Sequence, residues 1–496
     1  MKKILPLLIT CLFAPLLAQP TAEPAKRLNV LFIAVDDMNN DLGCYGNSQV
    51  QAPNICRLAA RGVRFDRAYC QYALCSPSRS SLMTGLRPDT TRVFDLKYHF
   101  RQGLPNVVTL PQMFRANGYY AARVGKIYHY GNPQQIGTSG LDDPASWDEF
   151  RNPAGRDKTA LEPDLIYADG PGKRGSGKHY MAYYNDKAGT DEQHTDGKVA
   201  TQAIELMEKH KDQPFFLAVG FYKPHAPWIT PGGYFEKYSL DTITLPAIAP
   251  NYRSTVPAPA LESTKPWPYC GAPPQFAREC KLGYYASISF VDVQIGRVLD
   301  SLDRLGLRDH TVVVFWSDHG FQLGEHGLWF KTDCFEEADR VPLIIVPPGT
   351  RNPGKASPRT VELVDLYPTL ADLAGLTPPR NLEGFSLRPL LENPDAPWPH
   401  AAFTQVQRGK FPGHSVRTER WRYTEWDFGK QGAELYDHDA DPHELHNLAS
   451  DSKYADTIAE MKALLKTVHP KPVQGGKAKP GFAESLGLKT GDDVHE

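Results

Sequence analysis

Hydrophobic residues along the first part of the chain form two alternating patterns. Short, continuous apolar runs predict strands that are buried on both faces of a parallel sheet, over residues 28–35, 119–124, 214–221, 311–316 and 341–346. Residues 63–69 alternate between apolar and polar, which predicts a further strand. Segments with helical spacing predict helices over residues 53–61, 109–117, 194–210, 277–305 and 361–376. This alternation is typical of an α/β fold with a mostly parallel sheet flanked by helices.

The pattern changes after about residue 390. Four short strand-like pieces follow, at residues 401–406, 415–418, 422–426 and 434–436, and a predicted helix covers residues 454–468. We therefore expect a large α/β domain over residues 26–390, a smaller α+β subdomain over residues 391–470 and a loose tail over residues 471–496.

The first residues have the pattern of a secretory signal. Lys2 and Lys3 precede an apolar run that ends near Ala18, so we expect residues 1–18 to direct export to the periplasm or the outside. The run is short for a membrane span and contains Pro6 and Pro15, so no stable membrane anchor is expected. Without Lys2 and Lys3 the formal net charge changes from −2 to −4, which gives no case for nucleic-acid binding.

Charged side chains and histidines follow the ends of several predicted strands. Ligands of open α/β sheets bind at the carboxyl ends of the strands, so we expect these residues to share one crevice. Paired carboxylates at such an edge are well placed to bind a metal. The residues are Asp36 with Asp37, Lys126 with His129, Lys223 with His225, and Asp318 with His319 and Lys331.

A cysteine-containing segment precedes another predicted helix. Pro77 would begin the helix, which places Cys75 at the positive end of the helix dipole and Arg79 in the first turn. A buried, inert thiol in front of a proline-started helix is the alternative interpretation of Cys75.

The segment Cys75-Ser76-Pro77-Ser78-Arg79, followed by Leu82-Met83-Thr84-Gly85, resembles the signature of type I sulfatases. The resemblance extends over essentially the whole chain after the signal. Within the family, the local sequence motifs are most similar to those of the iduronate-2-sulfatase branch. The supporting strings are Val35-Asp36-Asp37-Met38, Gly125-Lys126-Ile127, Lys223-Pro224-His225, Asp318-His319-Gly320 and Val416-Arg417-Thr418. Membership would imply an alkaline-phosphatase-like fold.

The resemblance also implies a modified nucleophile and a metal. A formylglycine-generating enzyme would convert Cys75 to formylglycine, whose hydrate attacks sulfur. Asp36, Asp37, Asp318 and His319 would bind one calcium ion together with the modified Cys75. Calcium prefers oxygen ligands, whereas His319 is a nitrogen donor where many sulfatases carry Asn.

Further roles follow from the same resemblance. Arg79, Lys126 and Lys331 would neutralise the sulfate oxygens and hold the hydrate. His129 would be the base that allows sulfate to leave. His225, helped by Lys331, would be the acid that protonates the departing sugar oxygen.

The resemblance predicts a sulfated carbohydrate as the substrate, with a 2-O-sulfated uronate as the first choice. Lys97, His99, Arg101 and Arg417 are the cationic candidates for binding its carboxylate. Phe321 stands where the branch usually has tryptophan, so another sulfated polysaccharide unit is an alternative. A phosphate or phosphonate ester hydrolase of the same fold and, if Cys75 stays a thiol, a non-catalytic glycan binder are the others.

Seven cysteines remain after removal of the signal, and conversion of Cys75 would leave six, an even number that suits an oxidising compartment. Cys270 and Cys280 lie in a Pro- and Gly-rich stretch and are the predicted disulfide. The other four are interpreted as packed thiols.

Overall fold

A computed structural model describes residues 27–158, 164–171 and 181–489. The predicted signal, residues 1–18, and the last residues of the predicted tail lie outside these ranges. Within the described residues no helix is both long and apolar enough to cross a membrane.

The strands and helices follow the α/β order expected from the sequence. The strands are β1 (Asn29–Asp36), β2 (Val63–Tyr69), β3 (Tyr120–Gly125), β4 (Glu149–Arg151), β5 (Ile166–Tyr167), β6 (Gly170–Pro171), β7 (Tyr183–Asp186), β8 (Phe215–Pro224), β9 (Trp228–Pro231), β10 (Thr311–Ser317), β11 (Gln322–Leu323), β12 (Trp329–Phe330), β13 (Arg340–Val346), β14 (Lys355–Glu362), β15 (Ala402–Arg408), β16 (Phe411–Arg417), β17 (Trp421–Trp426) and β18 (Ala433–Asp437). The α-helices are α1 (Pro53–Ala59), α2 (Cys75–Thr84), α3 (Pro88–Thr91), α4 (Leu110–Ala116), α5 (Thr195–His210), α6 (Pro274–Arg304), α7 (Glu336–Asp339), α8 (Leu366–Leu373), α9 (Arg388–Glu392), α10 (Ala455–Val468) and α11 (Phe482–Ser485).

The central sheet has eight strands in the order β14-β2-β13-β10-β1-β8-β3-β4. Its strands are parallel to their neighbours except β13, which is antiparallel to both β10 and β2. Every residue of β1 is buried, and its alternate side chains enter two different apolar clusters, one on each face of the sheet. The continuous apolar run therefore marks a strand at the centre of the sheet, as such runs predict.

The C-terminal part is a four-stranded antiparallel sheet in the order β15-β16-β17-β18, with α10 packed against it. Short apolar strands and one amphipathic helix bury a separate small core. This agrees with the change of pattern after about residue 390. The segment that follows, predicted to be a loose tail, contains α11 and lies against the large domain through residues such as Leu488, which is buried.

Two predictions about the fold are wrong. The helix predicted over residues 361–376 begins later, at Leu366, because Val361 still pairs with Ala68 in the sheet. The disulfide predicted between Cys270 and Cys280 is absent, because both residues are free thiols buried among apolar side chains. Instead, Cys44 and Cys56 lie close together, with the Cys44 amide donating a 3.2 Å hydrogen bond to Cys56 Sγ.

Candidate active site

The carboxyl ends of four neighbouring parallel strands meet at one edge of the central sheet. The strands β10, β1, β8 and β3 are adjacent in that order. Each ends directly before polar residues that the sequence analysis singled out. These are Asp318 and His319 after β10, Asp36 and Asp37 at the end of β1, His225 after β8, and Lys126 and His129 after β3. The topology therefore brings these residues to one crevice.

Cys75 is the first residue of α2 and is fully buried beneath this edge. Its Sγ lies 3.3 Å from His319 Nε2, 3.5 Å from Lys331 Nζ and 3.9 Å from Asp37 Oδ1. Burial raises the pKa of the Cys75 thiol well above its usual value, although Lys126 and Lys331 act in the opposite direction. The thiol is therefore held in its neutral form among charged groups.

Arg79, one turn further along α2, lies beneath the carboxylates and has no exposed surface. Its Nε donates to Asp318 Oδ2 at 2.8 Å, and Nη2 donates to Asp36 Oδ1 at 3.0 Å. Three further bonds go to the carbonyl oxygens of Val35, Lys126 and Ile127. A guanidinium has five N–H donors, so this network uses all of them. Arg79 thus fixes Asp318 and Asp36, and its role in neutralising the sulfate oxygens stays a prediction.

Two lysines bind the carboxylates that follow β1. Lys126 Nζ donates to Asp36 Oδ2 at 2.7 Å, and Lys331 Nζ donates to both oxygens of Asp37 at 2.7 and 2.9 Å. Burial opposes ionisation, but Lys126 lowers the pKa of Asp36, and His225 and Lys331 lower the pKa of Asp37. Both carboxylates are therefore ionised acceptors.

Two histidines present the same ring nitrogen to the site. His319 Nδ1 donates to the Gly320 carbonyl at 2.9 Å, and His225 Nδ1 donates to the Ala226 carbonyl at 2.6 Å. A carbonyl only accepts hydrogen bonds, so each Nδ1 carries a proton and each ring turns its Nε2 toward the site. His225 Nε2 lies 3.8 Å from Asp37 Oδ2.

His129 is buried, and its Nδ1 has no hydrogen-bond partner among the described residues. Burial lowers its pKa well below the usual value, and the nearby charge of Lys126 lowers it further. A neutral imidazole with an unpartnered nitrogen is available to accept a proton.

Some of these groups face a cavity of about 1010 Å³. Asp37, His129, His225 and Lys331 line it, together with polar and apolar residues of surrounding loops. Such a volume is at the upper end of the range of small-molecule sites. The cavity therefore has room for a ligand larger than a sulfate group.

The predicted substrate-binding residues separate into two groups. Lys97 and His99 line the cavity. Arg101 and Arg417 do not line it. Arg101 binds Asp143 through Nε and Nη2, at 2.6 and 2.8 Å, and Arg417 is buried against Glu336. Both arginines are used within the fold.

The donor atoms at the same edge have separations that suit a bound cation. His319 Nε2 lies 3.3 Å from Asp37 Oδ1 and 3.6 Å from Asp318 Oδ2, and the ligand atoms of Asp36, Asp37, Cys75 and His225 lie within 4.8 Å of one another. Ligands around an ion at about 2.3–2.6 Å have similar separations. Asp37 also adopts a left-handed backbone with φ 64°, a conformation that is uncommon among residues other than glycine and concentrates at functional sites. The residues present therefore fit one divalent cation.

Two contributors to the site gave no signal in the sequence. The Tyr284 hydroxyl, on α6, donates to the Asp37 carbonyl at 2.8 Å and accepts from the Asn39 amide, so it fixes the strained turn after β1. Residues 478–484 of the C-terminal segment also line the cavity. Neither feature belongs to a motif, since both depend on contacts between segments that are distant in the chain.

Comparison with known proteins gives a consistent result. A family model described as sulfatase matches residues 28–376, and one described as the C-terminal part of N-sulphoglucosamine sulphohydrolase matches residues 324–471. Iduronate 2-sulfatase of Homo sapiens is 35% identical over 530 residues, which cover 86% of this chain and 92% of the human protein. A sulfatase of Formosa agariphila is 33% identical over 462 residues, with 89% and 87% coverage.

A solved structure shows the same architecture. The phosphonate monoester hydrolase of Silicibacter pomeroyi superposes with a TM-score of 0.72 at 23% identity, covering 88% of this chain and 94% of that chain. A likeness at this identity concerns the fold alone.

Proposed function

The chain belongs to the sulfatase family and is a sulfuric ester hydrolase, and on this premise we propose that it removes a 2-O-sulfate from a uronate unit of a carbohydrate. The observation that carries the proposal is the position of Cys75. Its Sγ lies among three carboxylates, two lysines and two histidines, next to a cavity that is large enough for a sugar. The 35% identity to iduronate 2-sulfatase supports the choice of sugar.

The reaction would require two groups that the chain must acquire, a formylglycine at position 75 and a calcium ion. Cys75 would be oxidised to formylglycine by a maturing enzyme after synthesis, and its hydrated aldehyde would supply the oxygen that attacks sulfur. Asp36, Asp37, Asp318 and His319 would hold one calcium ion with the modified Cys75, and the ion would offset the charge of the sulfate ester. Three carboxylates favour a hard cation such as calcium over softer metals.

The lysines orient and neutralise the ester. Lys331 reaches both Asp37 and Cys75, so a sulfate placed above Cys75 meets its ammonium group directly. Lys126 is held by Asp36 at the same edge. Arg79 acts through Asp36 and Asp318, because its own donors are already used.

The two histidines that line the cavity move protons. His129, with its unpartnered Nδ1, accepts the proton of the second hydroxyl so that sulfate is released. His225 lines the cavity and donates to the departing sugar oxygen when its Nε2 carries a proton. Lys331, which binds Asp37 beside His225, supports that transfer by neutralising charge.

A substrate panel tests the proposal. Protein produced together with a formylglycine-generating enzyme is offered a heparin-derived disaccharide with a 2-O-sulfated uronate, the same disaccharide sulfated only at the hexosamine 6-position, 4-nitrophenyl sulfate and an aryl phosphonate monoester. We expect sulfate release to be fastest from the 2-O-sulfated uronate. Faster sulfate release from the 6-sulfated disaccharide would show that the preferred substrate is a sulfated sugar unit other than the 2-O-sulfated uronate. Faster hydrolysis of the phosphonate would favour a phosphonate ester hydrolase as the second candidate function. This candidate is included because the chain shares its fold with a phosphonate monoester hydrolase.

The Cys75→Ala protein is the matched control for this panel. It keeps the cavity and its charges but cannot form the aldehyde. Loss of all turnover in this variant assigns the reaction to Cys75, whereas equal turnover would contradict the mechanism.

A further inference from the structure

The C-terminal segment after α10 forms part of the wall of the cavity. Residues 478–484 line the cavity together with the loop of residues 94–99 and, at its bottom, with Asp37 and His225. Two chain segments that are almost four hundred positions apart thus form neighbouring parts of one wall.

The segment is attached to the large domain at several points. The Gly476 amide donates to the Arg92 carbonyl at 2.7 Å, and the Lys479 amide donates to Gln102 Oε1 at 3.0 Å. Further along, the Ser139 amide donates to the Lys489 carbonyl at 2.9 Å. Apolar contacts add to these bonds, because the Phe482 ring packs against His99 with centroids 5.9 Å apart.

Two glycines allow the segment to run close to the loop beneath it. A Cβ added at Gly476 would lie 2.1 Å from the Tyr98 ring, and one added at Gly475 would lie 3.1 Å from Phe94. Atoms at the first separation overlap, so a larger residue at position 476 must move the segment or the ring. The close approach therefore requires glycine at position 476.

The wall carries unused positive charge. Lys479 and Lys97 line the cavity and are exposed, and among the described residues neither ammonium group has a hydrogen bond or ion pair. Two carboxylates, Asp95 and Glu484, line it as well, but Asp95 Oδ1 already accepts from the Lys97 and Tyr98 amides at 2.9 and 2.7 Å. An acidic sugar bound above Cys75 would give the two lysines a partner.

We propose that the C-terminal segment of residues 475–489 determines substrate specificity, with Lys479 binding a carboxylate or second sulfate of the acidic carbohydrate in concert with Lys97. This inference rests on the proposed function, since it concerns the same cavity. A charge-assisted hydrogen bond from an exposed ammonium group contributes about tenfold to affinity.

Binding to a protein that cannot turn over the ligand tests the inference separately from the reaction. In the full-length Cys75→Ala background, the dissociation constant of the 2-O-sulfated uronate disaccharide is measured by calorimetry. Lys479→Ala is expected to raise it about tenfold, and to raise that of 4-nitrophenyl sulfate, which has no carboxylate, less. Lys477→Ala is the matched control, because Lys477 lies on the same segment but does not line the cavity.

Gly476→Leu gives an independent test of the whole wall. We expect it to weaken disaccharide binding at least as much as Lys479→Ala does, while the melting temperature shows that the core remains folded. Equal affinities of the Lys479→Ala and Lys477→Ala proteins would overturn the inference, and so would a failure of the disaccharide to bind the parent protein. Absent turnover by the mature wild-type protein would instead overturn the proposed function and leave the binding result intact.

Discussion

Two clusters of buried charge can be compared in this molecule. The first is the active-site cluster at the carboxyl edge of the central sheet. The second, here called the junction cluster, lies where the small C-terminal domain meets α7 of the large domain. It consists of Glu336, Asp339, Arg417, Arg422, His438 and Glu444. Both clusters combine carboxylates, cations and a histidine, and in both a fully buried arginine lies at the centre.

The clusters differ in what their charges face. Arg422 contacts Asp339 and Glu336 at 2.7 Å each and also Glu444, and His438 Nε2 lies 2.9 Å from Glu444. None of these residues lines the cavity, whereas Asp37, His129, His225 and Lys331 of the active-site cluster all do. Buried charge is thus common to a joint between domains and to a reaction centre. Access to a cavity and an available histidine nitrogen distinguish the active-site cluster from the junction cluster.

The largest expected effect separates the clusters by activity. Asp37→Asn removes one charge at the metal-binding edge but keeps the shape, and asparagine tolerates the left-handed backbone of this position. We expect kcat/KM for the best substrate to fall roughly ten-thousandfold, a barrier increase of about 5 kcal/mol. Steady-state kinetics of the mature protein measure this change.

Glu444→Gln is the matched variant in the junction cluster, since it also exchanges one buried carboxylate for an amide. It should leave the kcat/KM of the folded protein near the wild-type value. If Asp37→Asn kept more than a tenth of the activity, or if Glu444→Gln lost as much as Asp37→Asn, the functional distinction between the clusters would not hold.

The next effect separates the clusters by stability. Arg422→Met leaves Asp339, Glu336 and Glu444 buried without their common partner, and breaking such a network typically costs about 3–5 kcal/mol of unfolding free energy. Chemical denaturation followed by fluorescence measures this loss.

Arg420→Met provides the control two positions away. The side chain of Arg420 is 52% exposed and pairs with Asp437, so its loss should change the unfolding free energy much less than Arg422→Met does. Equal losses from the two variants would show that the junction cluster is not a stabilising network.

A smaller effect concerns a histidine between the two domains. His414, on β16, is stacked on His469, which in turn binds Asp89 of α3 at 2.9 Å, and Phe428 packs on its other side. Burial lowers the pKa of His414 to about 3, and the adjacent His469 acts in the same direction.

The direction of the pH effect follows from this shift. As the pH falls below about 6.5, the unfolded chain binds a proton at His414 that the folded chain rejects until about pH 3. Folding should therefore lose about 2–3 kcal/mol between about pH 7 and pH 4.5 from this group. His414→Gln does not titrate, so its unfolding free energy should fall less over the same range; identical pH profiles would contradict the assignment.

Much of the scaffold could be predicted from the sequence because local patterns determine it. The apolar run of β1 indicates a strand buried on both faces, and the polar residues after it indicate the functional edge. Parallel topology then brings residues from four strands together without further information. Pro77 likewise indicates a helix beside Cys75, although α2 begins two residues earlier than predicted, at Cys75 itself.

Other features depend on long-range contacts that a pattern does not contain. Arg417 and Lys97 are both isolated cations in the sequence, yet one is buried against Glu336 and the other lines the cavity. Arg79 has the expected position but already uses its donors within the fold. The C-terminal segment is polar and rich in glycine and lysine, which is typical of a loose tail, and only the docked structure shows its contact with the loop of residues 94–99.

The mass of the proteolytic peptide that contains Cys75 tests the central claim most directly. Protein from its native host, or made together with a formylglycine-generating enzyme, should show the loss of one sulfur and two hydrogens and the gain of one oxygen at Cys75. An unmodified thiol in protein from the native host would contradict the proposed mechanism and favour a glycan-binding role for the same cavity.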